Sequence, residues 1–482
     1  MMEVSKSIFL IRRGASVKEF SATQMFIILS IVIVYTVFTS WLSIKLRSKT
    51  NEQFMTAARA LPASVIGVLL MSEFIGTPST FGTAQSAFSS GMGASWAILS
   101  AAISFILFGL IMARKLYGSG EFTISGIIAQ KYGNSTRLVV SFIMIYALFV
   151  VNVSNYVSGA AALSMLLKIS IPMAALITAI VSTFYYTFGG LKGVAYVSIF
   201  HGAMKYIGVI IVFIVAYSLS GGFSAVAHHL PQYYFTWDGK IGGTTIFAWI
   251  IANTGAIFST QYIVQAISAA KNPEAAKKSS IYAALLCIPI ALMAAFIGIA
   301  SKYLFPKLPS IDAFPIYLQH MNPVLTGIVA TALVASVFVN VSTVALGITA
   351  LIIKDFYLPY FKHDSKKEFQ MTRIVSLVLG FLPLIFVFFV PQILKLQMFT
   401  RGLRTSVAMV AVAAFYLPFF KSNRGATAGL VVSTILTTAW FFMGNPYGID
   451  NTYIAVVTPF IVMVIDRLIF RHNKSEAVTQ TN

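Results

Sequence analysis

The chain has 482 residues, of which 58% are hydrophobic and only 10% charged, and its mean hydropathy is +0.84. Soluble domains carry about 25% charged residues, so no water-exposed surface can be built for a chain this long, which excludes a soluble enzyme, a disordered chain and a secreted scaffold. The net charge of +20 does not point to nucleic acid, because the 34 Lys and Arg fall mostly in short stretches between apolar runs, as loops retained in the cytoplasm do. The expected class is an all-α protein embedded in the lipid bilayer.

A spanning helix needs roughly 20 mostly apolar residues. By that measure thirteen spans are expected, near 23–44, 63–89, 95–113, 138–167, 171–188, 194–220, 244–268, 280–301, 324–353, 374–394, 402–420, 425–443 and 450–466. Nothing between them is long enough for a soluble domain. The first 22 residues hold Lys6, Arg12, Arg13 and Lys18 around a four-residue apolar patch, Ile8 to Ile11, so no signal-peptide core is expected. Residues 1–471 are expected to form one polytopic domain and 472–482 a short cytoplasmic tail with no fused signalling domain. With the N-terminus outside, the inner segments hold 22 Lys and Arg and the outer segments 11, Lys205 belonging to neither; this favours N-out, C-in in the cytoplasmic membrane.

Two of the spans are interrupted by polar residues at mid-depth. "MSEFIGTPSTFGTAQ" places Glu73, Gly76, Thr77, Ser79 and Thr80 in the second, and "IANTGAIFSTQYIVQ" places Asn253, Thr254, Thr260 and Gln261 in the seventh. Backbone that leaves the helix inside a bilayer is tolerated where it is buried in protein or lines a cavity. Interruptions at matching positions of two halves point to a transporter built from inverted repeats, with its site between them. The repeats are expected at 63–220 and 244–420, with 23–44 and 425–471 peripheral.

Of the 48 Lys, Arg, Asp and Glu side chains, Glu73 and Lys205 alone fit no loop, tail or span end. A mid-membrane carboxylate needs a cation, a hydrogen-bonding ligand or its own proton. Lys205 shares a helix face with His201, at i and i+4, and with Ser198; too far from either end to snorkel easily, it is expected to face the protein interior. His228 and His229 read as a solvated pair. The lone cysteine, Cys287, excludes a disulfide framework or a cysteine-based metal site. No Walker A, dinucleotide fingerprint, nucleophile elbow or zinc motif occurs, so no enzyme and no bound organic cofactor are expected.

Several segments together resemble the sodium:solute symporter family: "YTFGGLKGVAYVSIFHG" (186–202), "STQYIVQAISAAKNPEAAKKS" (259–279), "YLFPKLPSIDAFPIYL" (303–318), "TALIIKDFY" (349–357) and "SNRGATAGLVVSTILTTAW" (422–440). The resemblance implies two inverted five-helix repeats, a small-molecule substrate between two broken helices and sodium at a second site. It assigns substrate contact to Glu73, Asn253 and Thr260, with Thr77, Ser79 and Gln261 beside them and Gly76 at the break. It assigns sodium to the carbonyls of Ile66 and Leu69 with two hydroxyl residues of the ninth span.

At those two positions this chain has Val339 and Asn340, and Ser198 and His201 stand where the family's signature segment usually has an acidic residue and a glutamine. The sodium site is thus expected to be degenerate, unless Ser336, Ser342 or Thr343 supplies the oxygen. Lys205 is then a candidate for coupling or charge balance, with His201 and Ser198. The expected function is alternating-access transport of a small polar organic solute such as an amino acid, monocarboxylate or vitamin. Coupling to sodium, coupling to protons and ion-independent exchange stay open, as does a solute sensor without net flux. A monomer is sufficient for any of these.

Overall fold

The computed structural model describes residues 20–479 apart from 168, 362–363 and 387–392; the side chains of 77–78, 162, 165–167, 393–398 and 471–479 are not described either. Among these residues the chain is almost wholly helical, with one isolated bridge between Leu61 and Ala270. The basic N-terminal tail lies outside the described residues.

Helix starts follow local chemistry. Helix α1 (Ala22–Lys45) begins with a capping box in which Ser21 and Gln24 satisfy each other's backbone amides. Helix α2 (Ala63–Phe74) is apolar and short, and α3 (Thr77–Ser90) follows it after Ile75 and Gly76. Pro78 lacks an N–H and its ring obstructs the carbonyl four residues back, so a continuous helix across 74–78 is disfavoured and the span breaks there. Helices α4 (Trp96–Ile111), α5 (Ile124–Tyr132, capped by Thr123) and α6 (Asn134–Leu167) complete the first third.

Helix α7 (Ile171–Ser220) is 50 residues long, about 75 Å at 1.5 Å per residue and far more than one bilayer crossing. It changes direction at Gly190, whose φ of 55° suits glycine and whose missing side chain leaves room for the Phe54 backbone and Ser48. The two expected spans 171–188 and 194–220 are its two arms. Helices α8 (Gly243–Ser259) and α9 (Gln261–Ser268) are bent by 52° at Thr260, so the second expected interruption is also a break.

Then come α10 (Pro273–Leu304), α11 (Pro323–Leu351), α12 (Ser365–Phe381), α13 (Ile393–Tyr416), α14 (Asn423–Phe442) and α15 (Asn451–Thr479). Two boundaries differ from expectation. Helix α13 begins at Ile393 rather than 402, carrying Arg401 and Arg404 inside it, and α15 runs on to Thr479 through residues expected as a tail.

By length and apolarity nine helices among the described residues suffice to cross a membrane, or ten with the bent pair; this measure takes α7 as one span and leaves the expected thirteen unconfirmed. The core is built around α11, which packs along α7, α6 and α1 and is buried over nearly its whole length, and α10, which packs on α2, α3 and α4. Helix α8 packs between α4 and α13, while α14 and α15 pair with each other at the periphery. The two broken helices therefore meet in the interior, walled by α6, α11 and α13.

Candidate substrate site between the broken helices

The break in the first helix releases carbonyls that a continuous helix would satisfy. Ile75 N–H still bonds Met71 O, and Ser79 and Thr80 N–H turn to Gly76 O, so the carbonyls of Ser72 and Ile75 are left without the amides four residues on. Lys205 takes both: its Nζ donates to Ser72 O and, at 2.8 Å, to Ile75 O. With its amide set to satisfy its neighbours, Asn340 adds a 2.9 Å bond to Ser72 O and one of 3.3 Å to Ser336 O. A cation and an amide, from α7 and α11, thus cap the C-terminal end of α2, where the helix dipole favours positive charge.

Glu73 projects from the last turn of α2 and is only 7% exposed. Neither carboxyl oxygen has a hydrogen-bond partner, although Thr343 and Lys205 are near enough to act on it. It faces a cavity of about 50 Å³, room for a few waters or a small solute. Ser79, Asn155 and Asn340 line the same cavity, and Arg401 and Arg404 enter it from α13. Lys205 borders a second, smaller cavity of about 20 Å³ on the other side of Ile75, with Thr80 and Ser336.

At the second break Thr260 Oγ1 donates to Ala256 O at 2.5 Å and accepts from Arg404 Nη1 at 3.0 Å, while Ser259 Oγ donates to Arg404 O at 2.6 Å. Arg404 Nε donates to Thr400 O at 3.1 Å. This bend contains neither glycine nor proline; α13 pins it from outside.

Of the expected residues, Glu73, Ser79 and Asn340 line this cavity, Thr260 is bonded to Arg404, which lines it, and Gly76 N-caps α3 at the break. The side chain of Thr77 lies outside the described residues. Asn253 is fully buried and donates to Ser100 Oγ on α4 at 2.6 Å, away from the cavity lining. Gln261 ties α9 to α5, accepting from Ile124 N and donating to Phe122 O. On the coupling side, His201 Nδ1 shares a 2.7 Å hydrogen bond with Tyr35 OH of α1, and Ser198 donates to its own helix at Val194 O.

Around the expected sodium site Ile66, Leu69 and Val339 are buried, Val339 supplies no side-chain oxygen, and the Asn340 amide is directed to Ser72. Thr343 donates to Val339 O at 2.8 Å and Ser342 to Ser182 O at 3.4 Å, so both hydroxyls keep a lone pair for an ion but their protons are engaged elsewhere. Val339 thus offers no side-chain oxygen to a sodium ion, whereas the oxygens of Thr343 and Ser342 remain able to hold one.

Sequence reasoning placed Arg401 and Arg404 with the outer loop charges and missed them. Their spacing, i and i+3 within "FTRGLRTSV", would put both on one helix face had the span been begun earlier. It also missed the opposite end of α11. There a π-helical turn over 352–357 carries Asp355, whose carboxylate accepts from Arg137 Nε at 2.6 Å and from the hydroxyls of Ser125 and Ser141.

Comparison with known proteins places this geometry. The sodium:solute symporter family profile matches residues 54–433, most of the chain. The chain belongs to the sodium:solute symporter family. Relatives include the sodium/glucose cotransporter of Vibrio parahaemolyticus, 21% identical over 88% of this chain and 83% of that protein, and the high-affinity proline transporter PutP of Bacillus subtilis, 24% identical over 80% and 84%. An uncharacterized symporter of Escherichia coli, YidK, is 24% identical, and that match spans 63% of this chain and only 57% of the relative. Among solved structures, a substrate-bound, outward-open sodium-coupled sialic acid symporter superposes with a TM-score of 0.78 at 16% identity, covering 91% of this chain and 96% of that one. At that identity the likeness shows the fold alone. The chain is a membrane transporter rather than an enzyme.

Proposed function

We propose that this symporter carries a small polar organic solute, of the amino acid, monocarboxylate or vitamin kind, across the cytoplasmic membrane by alternating access. The observation that carries the reading is Glu73: a buried, unsatisfied carboxyl facing a polar cavity where two broken helices meet. Such a group is costly unless a bound ligand or its own proton completes it. The regions 63–220 and 244–420 act as the two halves that rock about this point. With Arg401 and Arg404 removed from the outer tally, nine outer basic residues stand against 22 inner ones, which strengthens the N-out, C-in assignment.

Sodium is the coupling ion suggested by the relatives named for it. A second reading has its own support: Lys205 places an ammonium, fixed or titrating, on the freed carbonyls of α2, and Val339 supplies no side-chain oxygen at the neighbouring sodium site. Lys205 would then supply in the chain the positive charge a sodium ion supplies elsewhere, making transport proton-coupled or ion-independent. Uptake that requires sodium and survives Lys205→Ala unchanged would refute this second reading.

The broad test is a thermal-shift screen of the purified protein against amino acids, monocarboxylates, vitamins and sugars, with and without sodium. A ligand stabilises the state it binds, by about 2.7 kcal/mol at one hundred times its Kd. Glu73→Gln is expected to weaken the hit by roughly tenfold or more, as loss of a charged hydrogen-bond partner does. An unchanged shift in that variant would move the site away from the cavity.

A further inference from the structure

At one end of the peripheral pair α14 and α15, positive charge collects with little acid to balance it. Arg424, at the start of α14, lies with its guanidinium 4.1 Å from the ring centre of Phe470 on α15. Arg467, near the same end of α15, lies 4.9 Å from the ring centre of Phe419, in the link between α13 and α14 that also carries Lys421. Among the described residues none of these three cations forms an ion pair. The nearby acid, Asp466, is 9% exposed and sits against the first turn of α14, where a Cβ on Gly425 would meet its Oδ2 at 2.7 Å. A helix N-terminus suits a carboxylate there. Lys131 is engaged differently, donating to the carbonyls of Ala413, Ala414 and Leu417 at the end of α13.

A guanidinium laid on a ring uses its face and keeps its N–H edge, the edge that matches two oxygens of a phosphate. The apolar surface beside it says where that phosphate belongs. Ile461, Ile465 and Leu468 of α15 are all exposed and, at i, i+4 and i+7, form one stripe that ends level with Arg467. In a membrane protein such a stripe meets acyl chains, so Arg424, Arg467 and Lys421 stand at the depth of the headgroups. We propose that this corner binds an anionic phospholipid, its phosphate held by Arg424, Arg467 and Lys421 and its acyl chains along the α15 stripe. A zwitterionic headgroup adds an ammonium to a corner already in excess of positive charge, whereas an anionic one lowers that excess. The leaflet, the inner one, follows from the orientation proposed above; the headgroup chemistry does not depend on it, nor on what the symporter carries.

The test is native mass spectrometry of the purified full-length protein, titrated with phosphatidylglycerol and phosphatidylcholine of the same acyl chains and, separately, with glycerol 3-phosphate as competitor. Phosphatidylglycerol is expected to bind at least about tenfold more tightly than phosphatidylcholine. The Arg424→Gln/Arg467→Gln pair is expected to lower its affinity by roughly 25-fold, each basic residue near an anionic headgroup counting for about fivefold. The Lys366→Gln/Lys367→Gln pair, exposed at the start of α12, is expected to leave that affinity unchanged. Arg424→Lys keeps the charge and loses the planar fork, with an expected loss of about threefold; it reports on the same contact even where the double variant fails to fold. Equal affinity for the two lipids, or full affinity in Arg424→Lys, would overturn the proposal. An equal loss in both double variants would overturn it by showing a diffuse attraction to positive loops. Competition by glycerol 3-phosphate at the concentration at which the lipid itself binds would overturn it in favour of a free phosphate site.

Discussion

Lys205 Nζ meets two carbonyls that the first break exposes, and Asn340 meets one of them again. Its replacement by methionine keeps the volume but leaves Ile75 O with no donor and Ser72 O with one. The expected cost is about 2 kcal/mol, read as a fall in detergent melting temperature; an unchanged or raised melting temperature would mean that the ammonium does not hold the break. Lys205 and Glu73 were legible in the sequence because a charge deep within an apolar run has no bland explanation. Arg401 and Arg404 were not, because a charge near the edge of an apolar run reads as a loop, and only the earlier start of α13 turns it inward. Asn253 and Gln261 lie away from the cavity lining. Polar side chains in a broken span look like ligand contacts, but here Asn253 donates to Ser100 and Gln261 bonds the backbone of Phe122 and Ile124 at the start of α5.

At the scale of elements, close packing fixes where the helices sit. A Cβ on Gly298 of α10 would lie 2.0 Å from Ala84 O on α3, whereas one on Gly82 of α3 would meet nothing within 4 Å. Gly298→Ala must push α10 away from α3, at an expected cost of about 1–3 kcal/mol. Gly82→Ala is expected to be neutral or to gain up to about 1 kcal/mol from helix propensity. Melting curves of the two variants should therefore move in different directions, and equal shifts would contradict this packing.

The far end of α11 is lashed by Asp355 to Arg137 and Ser141 of α6 and to Ser125 of α5. The Asp355 side chain is fully buried in that network. Removing its charge with Asp355→Asn leaves Arg137 without its counter-ion, at an expected cost of about 3–5 kcal/mol in thermal stability; a shift within error would show that the serines alone hold this end closed. Both breaks and the turn at Gly190 were readable from Gly, Pro and polar residues in otherwise apolar runs. The bend at Thr260 has polar residues but neither Gly nor Pro at its centre, and it is held by Arg404, 144 residues away in sequence, which no local pattern reveals.

For the whole molecule, scarcity of charge forces the fold into a membrane, and the same scarcity makes each buried charge informative. Glu73, Lys205, Arg401 and Arg404 come from three helices that are remote in sequence and meet only because α11 and α10 organise the core around the breaks. The central claim is that this meeting point is a transport site. It is tested most directly by uptake into proteoliposomes of defined orientation of a labelled solute that the thermal-shift screen identifies, with and without a sodium gradient, comparing the unmodified chain with Glu73→Gln and Arg404→Lys. The account predicts saturable accumulation above the external concentration when a driving gradient is present, reduced at least tenfold in both variants. Saturable binding with no accumulation under any gradient, or flux that rises linearly with concentration and ignores both substitutions, would contradict it.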